Sequence, residues 1–163
     1  MATITTFLTY NDQAEEAVEL YTSSFGNSRI TNVSRYGEGG PGSPGGVMSI
    51  QFELEGKEFI ALNGGPSFSF AQGISLFASC ETQQEIDGLW DKLTAAGGEP
   101  GPCGWLTDRF GVSWQIVPRV LGELLGDADP EKSGRAMQAM LGMSRLDIAE
   151  LRRAFEGQPA AVR

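Results

Sequence analysis

Histidine is absent from this chain. That excludes Ser-His-Asp and Cys-His catalytic arrangements built within it. It also removes the commonest nitrogen ligand for zinc or iron. General acid–base work would fall to carboxylates, Lys, Tyr or Cys. Cysteine is scarce, with only Cys80 and Cys103, which do not make a disulfide framework. Both flank apolar runs and read as half-buried thiols of a reducing compartment. Basic residues are few: 12 against 21 acidic ones, for a net charge of −9. Beyond Arg152-Arg153 there is no basic cluster, so a nucleic-acid-binding surface is not expected. The charge reads as a solubility device. No apolar run approaches the roughly 18 residues that span a bilayer. The opening MATITTFLTY lacks a basic n-region and a cleavage site, so a cytoplasmic protein is expected. No glycine-rich turn leads from a strand into a helix, as a dinucleotide-type or S-adenosylmethionine fold would require.

The residues present alternate between strand and helix patterns. Residues 3–10 are β-branched and aromatic and predict a strand. Asp12 with Glu15 predicts a capping box, opening a helix whose stripe is Ala14, Ala17, Val18, Tyr21 and Phe25, with Gly26 as its terminating glycine. Residues 29–36 predict a second strand. The loop 37–46 holds six Gly and two Pro and reads as a mobile connection between strands, a lid over a pocket or a dimer contact. Residues 47–54 and 58–63 predict a hairpin about Glu55, Gly56 and Lys57. Its alternation separates Met48, Ile50, Phe52 and Leu54 from Val47, Ser49, Gln51 and Glu53, the second set facing a pocket or solvent. Residues 64–73 form a connector whose Phe68 and Phe70 serve either a satellite core or a pocket rim.

The order then repeats. Residues 74–80 predict a strand. Thr82 with Glu85 predicts a capping box, opening a helix that presents Ile86, Leu89, Trp90 and Leu93 and ends at Gly97-Gly98. A short strand follows, then a hairpin of Gly104–Asp108 and Val112–Val117. Asp108 and Arg109 read as turn formers in preference to a carboxylate with a clamp. Strand alternation puts Trp114 and Ile116 on one face and Ser113, Gln115 and Val117 on the other. Beyond Pro118 the chain predicts helices: 119–125, one started by Asp129 and Pro130 and carrying Met137, Met140 and Leu141, and 147–155 with Ile148, Leu151 and Phe155. These are packing elements over a sheet face or at a dimer contact. Strand, helix, three strands, twice over, makes an α+β chain of paired βαβββ modules with C-terminal helices. We assign module one to 1–65, module two to 73–118 and the helical tail to 119–163, within one domain of 163 residues.

The run CGWLTDRFGVSWQIVP, with Glu15-Glu16-Ala17, Tyr21 and Phe25, Ser34-Arg35-Tyr36-Gly37, Ala61-Leu62-Asn63-Gly64-Gly65 and Met137-Gln138-Ala139-Met140-Leu141, resembles the PhnB-like proteins. These belong to the vicinal-oxygen-chelate superfamily (glyoxalases, bleomycin-resistance proteins and dioxygenases) and are often labelled 3-demethylubiquinone-9 3-methyltransferase. The resemblance implies that the halves curl into a cup, in a homodimer. Enzymatic members hold a divalent metal there with His and Glu from the first and last strands of each half. In this chain the corresponding positions offer Thr5, Phe7 or Thr9, then Asn63, Ser75 and Gln115. These are poor ligands for a borderline metal and too few carboxylates for magnesium or calcium. No cofactor is expected.

The expected cup is lined by Gln51, Asn63, Phe70, Ser75, Phe77, Trp105 and Gln115, with Trp114 nearby and serving either core or cup. Neutral amides, hydroxyls and aromatic rings suit an apolar or aromatic small molecule carrying one or two hydrogen-bonding groups. Tyr36, beside the glycine-rich loop, is a further polar candidate without a role. The expected function is small-molecule binding without a catalytic metal. The alternative is an enzyme, either the nominal methyltransferase or a metal-assisted lyase, isomerase or dioxygenase.

Overall fold

The computed structural model describes residues 1–161. The chain divides into two compact units, Met1–Phe70 and the remainder from Ala71. In the first, β1 (Thr6–Tyr10), α1 (Ala14–Ser24), β2 (Ser28–Arg35), β3 (Val47–Leu54) and β4 (Lys57–Asn63) form a βαβββ module. Its sheet runs β1-β4-β3-β2, with β1 parallel to β4 and the other pairs antiparallel. Leu8, Tyr10, Ile50, Phe52 and Ala61 are buried, as are Ala14, Ala17, Val18 and Tyr21 of the helix packed against the sheet. Phe52 stacks on Phe59 at 5.4 Å between ring centroids, and the Tyr10 hydroxyl donates to that of Tyr21 at 3.1 Å inside the core.

Helix α1 starts differently from the sequence reading. Its N-cap is Gln13, with no side-chain cap, so Asp12 and Glu15 form no capping box. An amide distant in sequence does the work: Asn63 Oδ1 accepts from the Ala14 N–H at 2.9 Å, filling one of the orphan donors of a helix start. Gly64 and Gly65 donate to the carbonyls of Tyr10 and Asn11, which zips the end of β4 to the turn before the helix. At the other end Phe25 leaves the helix in extended conformation and Gly26 lacks the positive φ of a terminating glycine, because the chain passes straight into β2.

The second unit repeats the plan with β5 (Leu76–Cys80), α2 (Gln83–Thr94), β6 (Glu99–Pro100), β7 (Trp105–Thr107) and β8 (Ser113–Pro118). Its sheet runs β5-β8-β7-β6, again with first and last strands parallel. Here the capping box of Thr82 and Glu85 is complete. Ile86, Leu89, Trp90 and Leu93 are buried on α2, and Ala78, Cys80, Leu106, Trp114 and Ile116 on the sheet. Trp114 is therefore core. Three helices follow: α3 (Val120–Leu125), α4 (Pro130–Leu141) and α5 (Ile148–Phe155). Leu121, Leu124, Ala136, Leu146 and Leu151 make their cluster, with Val117 and Met140 against it. The inner face of α4 is thus Ala136, Ala139 and Met140, while Met137 and Leu141 are exposed. Gln83 fastens this bundle to α2, donating to the Leu146 carbonyl at 3.0 Å and accepting from the Ile148 N–H at 2.9 Å.

Asp108 is the keystone of the β7–β8 turn. It is 3% exposed. One carboxylate oxygen accepts from the Phe110 and Val112 N–H groups at 2.9 and 3.0 Å, and the other from Trp114 Nε1 at 3.0 Å. The turn reading of Asp108 holds: its carboxylate gathers two N–H groups of the turn and the Trp114 indole N–H. Asp108→Ala is expected to destabilise the protein by about 3 kcal/mol in urea unfolding, because buried donors lose their acceptor. A loss below about 0.5 kcal/mol, the size of an ordinary surface substitution, would refute that role.

Burial pushes the Cys80 thiol up from 9.0 to about 11, with a smaller push from the Glu85 carboxylate. Cys103 is only partly buried. Disulfide-exchange titration of the native protein should therefore find one readily reacting thiol, with Cys80 reacting only on unfolding. In the unfolded chain Cys80 ionises near pH 9.0 and in the folded one near 11. Its contribution to stability is complete below pH 9 and is lost as pH rises through 11. A Cys80→Ala variant should show a shallower alkaline decline in unfolding midpoint.

Candidate functional site

In each unit α1 or α2 packs on one face of the sheet, and the alternate strand residues lie on the other. In the first, register puts Phe7 and Thr9 beside Ile60 and Leu62, and these beside Gln51 and Ser49. Gln51 is exposed on this open face. Next to it lies a pocket of about 620 Å³, lined by Tyr36, residues 37–41 of the glycine-rich loop, Met48, Leu62, Gly64 and Phe68. Sequence reasoning read the loop as a lid over a pocket or a dimer contact, left Tyr36 without a role, and left Phe68 between core and rim. Phe68 is exposed and lines the pocket.

Tyr36 anchors the pocket wall. Its hydroxyl donates to the Asn63 carbonyl at 2.6 Å. Its N–H donates to the Gly46 carbonyl at 2.9 Å and its own carbonyl accepts from the Gly45 N–H at 2.8 Å. The loop therefore leaves and returns at one residue. A Cβ at Gly42 would stand 2.3 Å from the Tyr36 ring, so the loop can lie on the ring only because Gly42 has no side chain. A Cβ at Gly64 would stand 2.5 Å from Thr9 Cγ2 and 3.2 Å from the Phe68 ring, so the floor needs glycine for the same reason.

Asn63 does not present its amide to this pocket. Oδ1 accepts from Ala14 and Nδ2 donates to the Val47 carbonyl at 3.0 Å. Register puts it with Ala61 and Tyr10 on the helix side of the sheet, where its parity on β4 requires it to be. Phe70 packs edge-on against Tyr10 at 5.2 Å between centroids.

In the second unit, four of the residues expected at the site share the open face. Gln115 is paired with Phe77 on one side and Trp105 on the other. Gln115 Nε2 donates to Ser75 Oγ at 2.9 Å, with Ser75 lying just before β5. Phe77 is 61% exposed. This face carries an amide, a hydroxyl and two aromatic rings, and none of these four side chains is ionisable.

A divalent metal does not fit these residues. The Gln115 amide and the Ser75 hydroxyl bond to each other, and both ends of the Asn63 amide are occupied. Among the described residues no three His, Cys, Asp or Glu side chains converge as a metal site would need. Among the described residues no helix is long and apolar enough to cross a membrane.

Comparison with known proteins agrees with this architecture. A family model described as 3-demethylubiquinone-9 3-methyltransferase matches residues 2–117, which stops before the three C-terminal helices. A Bacillus cereus protein described as PhnB and bearing the same methyltransferase name is 40% identical, with 72% of this chain and 99% of that one covered and a TM-score of 0.64. A Pseudomonas aeruginosa protein is 20% identical over 72% of this chain and 98% of its own, with a TM-score of 0.59. The genomically encoded fosfomycin resistance protein of Listeria monocytogenes, solved with Mn(II) and sulfate, is 14% identical over 69% of this chain and 88% of its own, with a TM-score of 0.50. The last two show the fold alone. No match was found among curated proteins. With two βαβββ units of matching topology, the family-model match and a 40%-identical PhnB relative, the chain belongs to the 3-demethylubiquinone-9 3-methyltransferase (PhnB-like) family.

Proposed function

We propose that this protein binds an apolar or aromatic small molecule and does so without a resident catalytic metal. The observation that carries the reading is the pocket of about 620 Å³ on the first unit. Its size falls in the range of small-molecule sites, and its wall of Tyr36, Met48, Leu62 and Phe68 is mainly apolar, as such sites are. Gln51 of the same open face is a further ligand contact of the proposal, and the second unit offers Ser75, Phe77, Trp105 and Gln115 as ligand contacts on its own sheet face. Phe70 contributes by holding Tyr10. Asn63 contributes through its backbone carbonyl, which holds Tyr36. The metal-free part of the reading is supported by the side chains themselves: three of the expected ligand positions, Asn63, Ser75 and Gln115, carry neutral amides or a hydroxyl that are hydrogen-bonded within the chain. The family's methyltransferase name finds no support in a doubly wound parallel sheet, because both sheets here are four-stranded and mixed. We propose that the protein acts as a cytoplasmic homodimer.

Native mass spectrometry before and after dialysis against a chelator tests the metal and the assembly together. The expected result is a dimer mass with no adduct, unchanged by chelator. One metal mass per subunit, lost on dialysis, would overturn the metal-free reading. For the pocket, the neutral dye Nile red should gain fluorescence with the wild-type protein. Leu62→Trp, which fills the floor, should weaken the dye by about tenfold, the scale of 1.4 kcal/mol of lost contact. Equal binding by both proteins, with the variant's unfolding midpoint unchanged, would place the dye elsewhere and remove the pocket's claim.

A further inference from the structure

The lining of the first-unit pocket is chemically lopsided. Of the residues around it, Glu38 alone carries a charge, and the others are glycine, Pro41, Met48, Leu62 and the aromatic rings of Tyr36 and Phe68. Among the described residues no Lys or Arg lines it. Arg35, next in sequence to Tyr36, turns its Nη1 to the Gly45 carbonyl at 3.0 Å. The glycine-rich loop could in principle cradle an anion with its amides. Three of those amides are spent within the loop and its base instead: Gly40 donates to Gly37, Gly45 to Tyr36 and Gly46 to Ser43. The lining thus includes one acidic residue, Glu38, and two aromatic ones, Tyr36 and Phe68, in a chain whose net charge is −9.

Resting on the reading of this pocket as a small-molecule site, we propose that its ligand is an amphiphilic cation: an aromatic or alkyl body bearing a protonated amine or quaternary ammonium group. The body lies over Met48 and Leu62. The cationic head sits between the Glu38 carboxylate and the Tyr36 and Phe68 rings, whose quadrupoles attract a cation. Glu38 is exposed, so its pairing with the head is screened and works as discrimination more than as affinity. The apolar wall supplies most of the binding and the carboxylate chooses among ligands of one shape. The acidic surface raises the local concentration of cations in the same sense.

The test is competition against Nile red by phenylbutylamine, phenylbutanol and phenylbutyrate, which share one carbon skeleton and differ in charge. The amine should displace the dye at about a threefold to fivefold lower concentration than the alcohol, the span of an exposed ion pair, and the carboxylate should be the weakest. Glu38→Gln, an isosteric change in an exposed loop, should bring amine and alcohol together while leaving the alcohol's own affinity unchanged. About 1 M salt should do the same to the wild type. If the alcohol and the amine compete equally in wild type at low salt, the cation proposal is overturned and the small-molecule reading stands. If the amine keeps its advantage in Glu38→Gln, the carboxylate is not its source and the proposal fails on that ground. If none of the three displaces the dye and Leu62→Trp binds it normally, the pocket reading falls with it.

Discussion

A four-stranded sheet has two faces, and each βαβββ unit of this chain brings one helix to cover them. Burying one face of the sheet under α1 or α2 uses the apolar set of each strand, as the buried Leu8, Ile50, Phe52 and Ala61 show in one unit and Ala78, Trp114 and Ile116 in the other. The alternate set is then committed to whatever lies on the second face. Its composition differs accordingly. Gln51, Ser49 and Thr9 interrupt Phe7, Ile60 and Leu62 in the first unit, and Gln115 separates Phe77 from Trp105 in the second. A face built only for packing would have no use for amides at its centre, and a face built only for water would not carry these rings.

The units resemble each other in topology, and they differ in how the chain is fixed at the helix starts. At α2 the helix caps itself through neighbours in sequence, Thr82 and Glu85. That pattern is local, so it was legible. At α1 a similar local pattern, Asp12 and Glu15, misleads. The cap there comes from Asn63, forty-nine residues away, and no spacing rule announces such a partner. The same long-range bond explains why Asn63 could be mistaken for a ligand-facing amide. It sits at a strand end in a small-residue run, as a site residue would, yet strand parity turns it to the helix. The element order, the pairing of Phe77, Trp105 and Gln115 on one face and the turn role of Asp108 were all readable, because alternation and turn chemistry are properties of short segments. The pocket was not. It depends on the loop 37–46 folding back on Tyr36, and the loop's six glycines specify freedom without specifying where the chain goes.

Asn63 and Tyr36 together couple the fold to the pocket. The side chain of Asn63 joins the start of α1 to the first residue of β3, and its carbonyl receives the Tyr36 hydroxyl. Tyr36 in turn fixes both ends of the glycine-rich loop and supports Gly42 against its ring. The wall of the site is thus tied to the core through two residues. Pre-forming a wall in this way removes from binding the cost of ordering it. Glu38 and Pro41, in the loop between those anchored ends, complete the lining. Such an arrangement suits a protein whose affinity comes from a fixed apolar surface and whose selectivity comes from a screened charge at the mouth. The charge can change without disturbing the core, whereas a side chain at Gly42 or Gly64 would meet the Tyr36 ring or Thr9 and Phe68. On the proposed reading, ligand preference can therefore vary at Glu38 while Gly42 and Gly64 are held by packing.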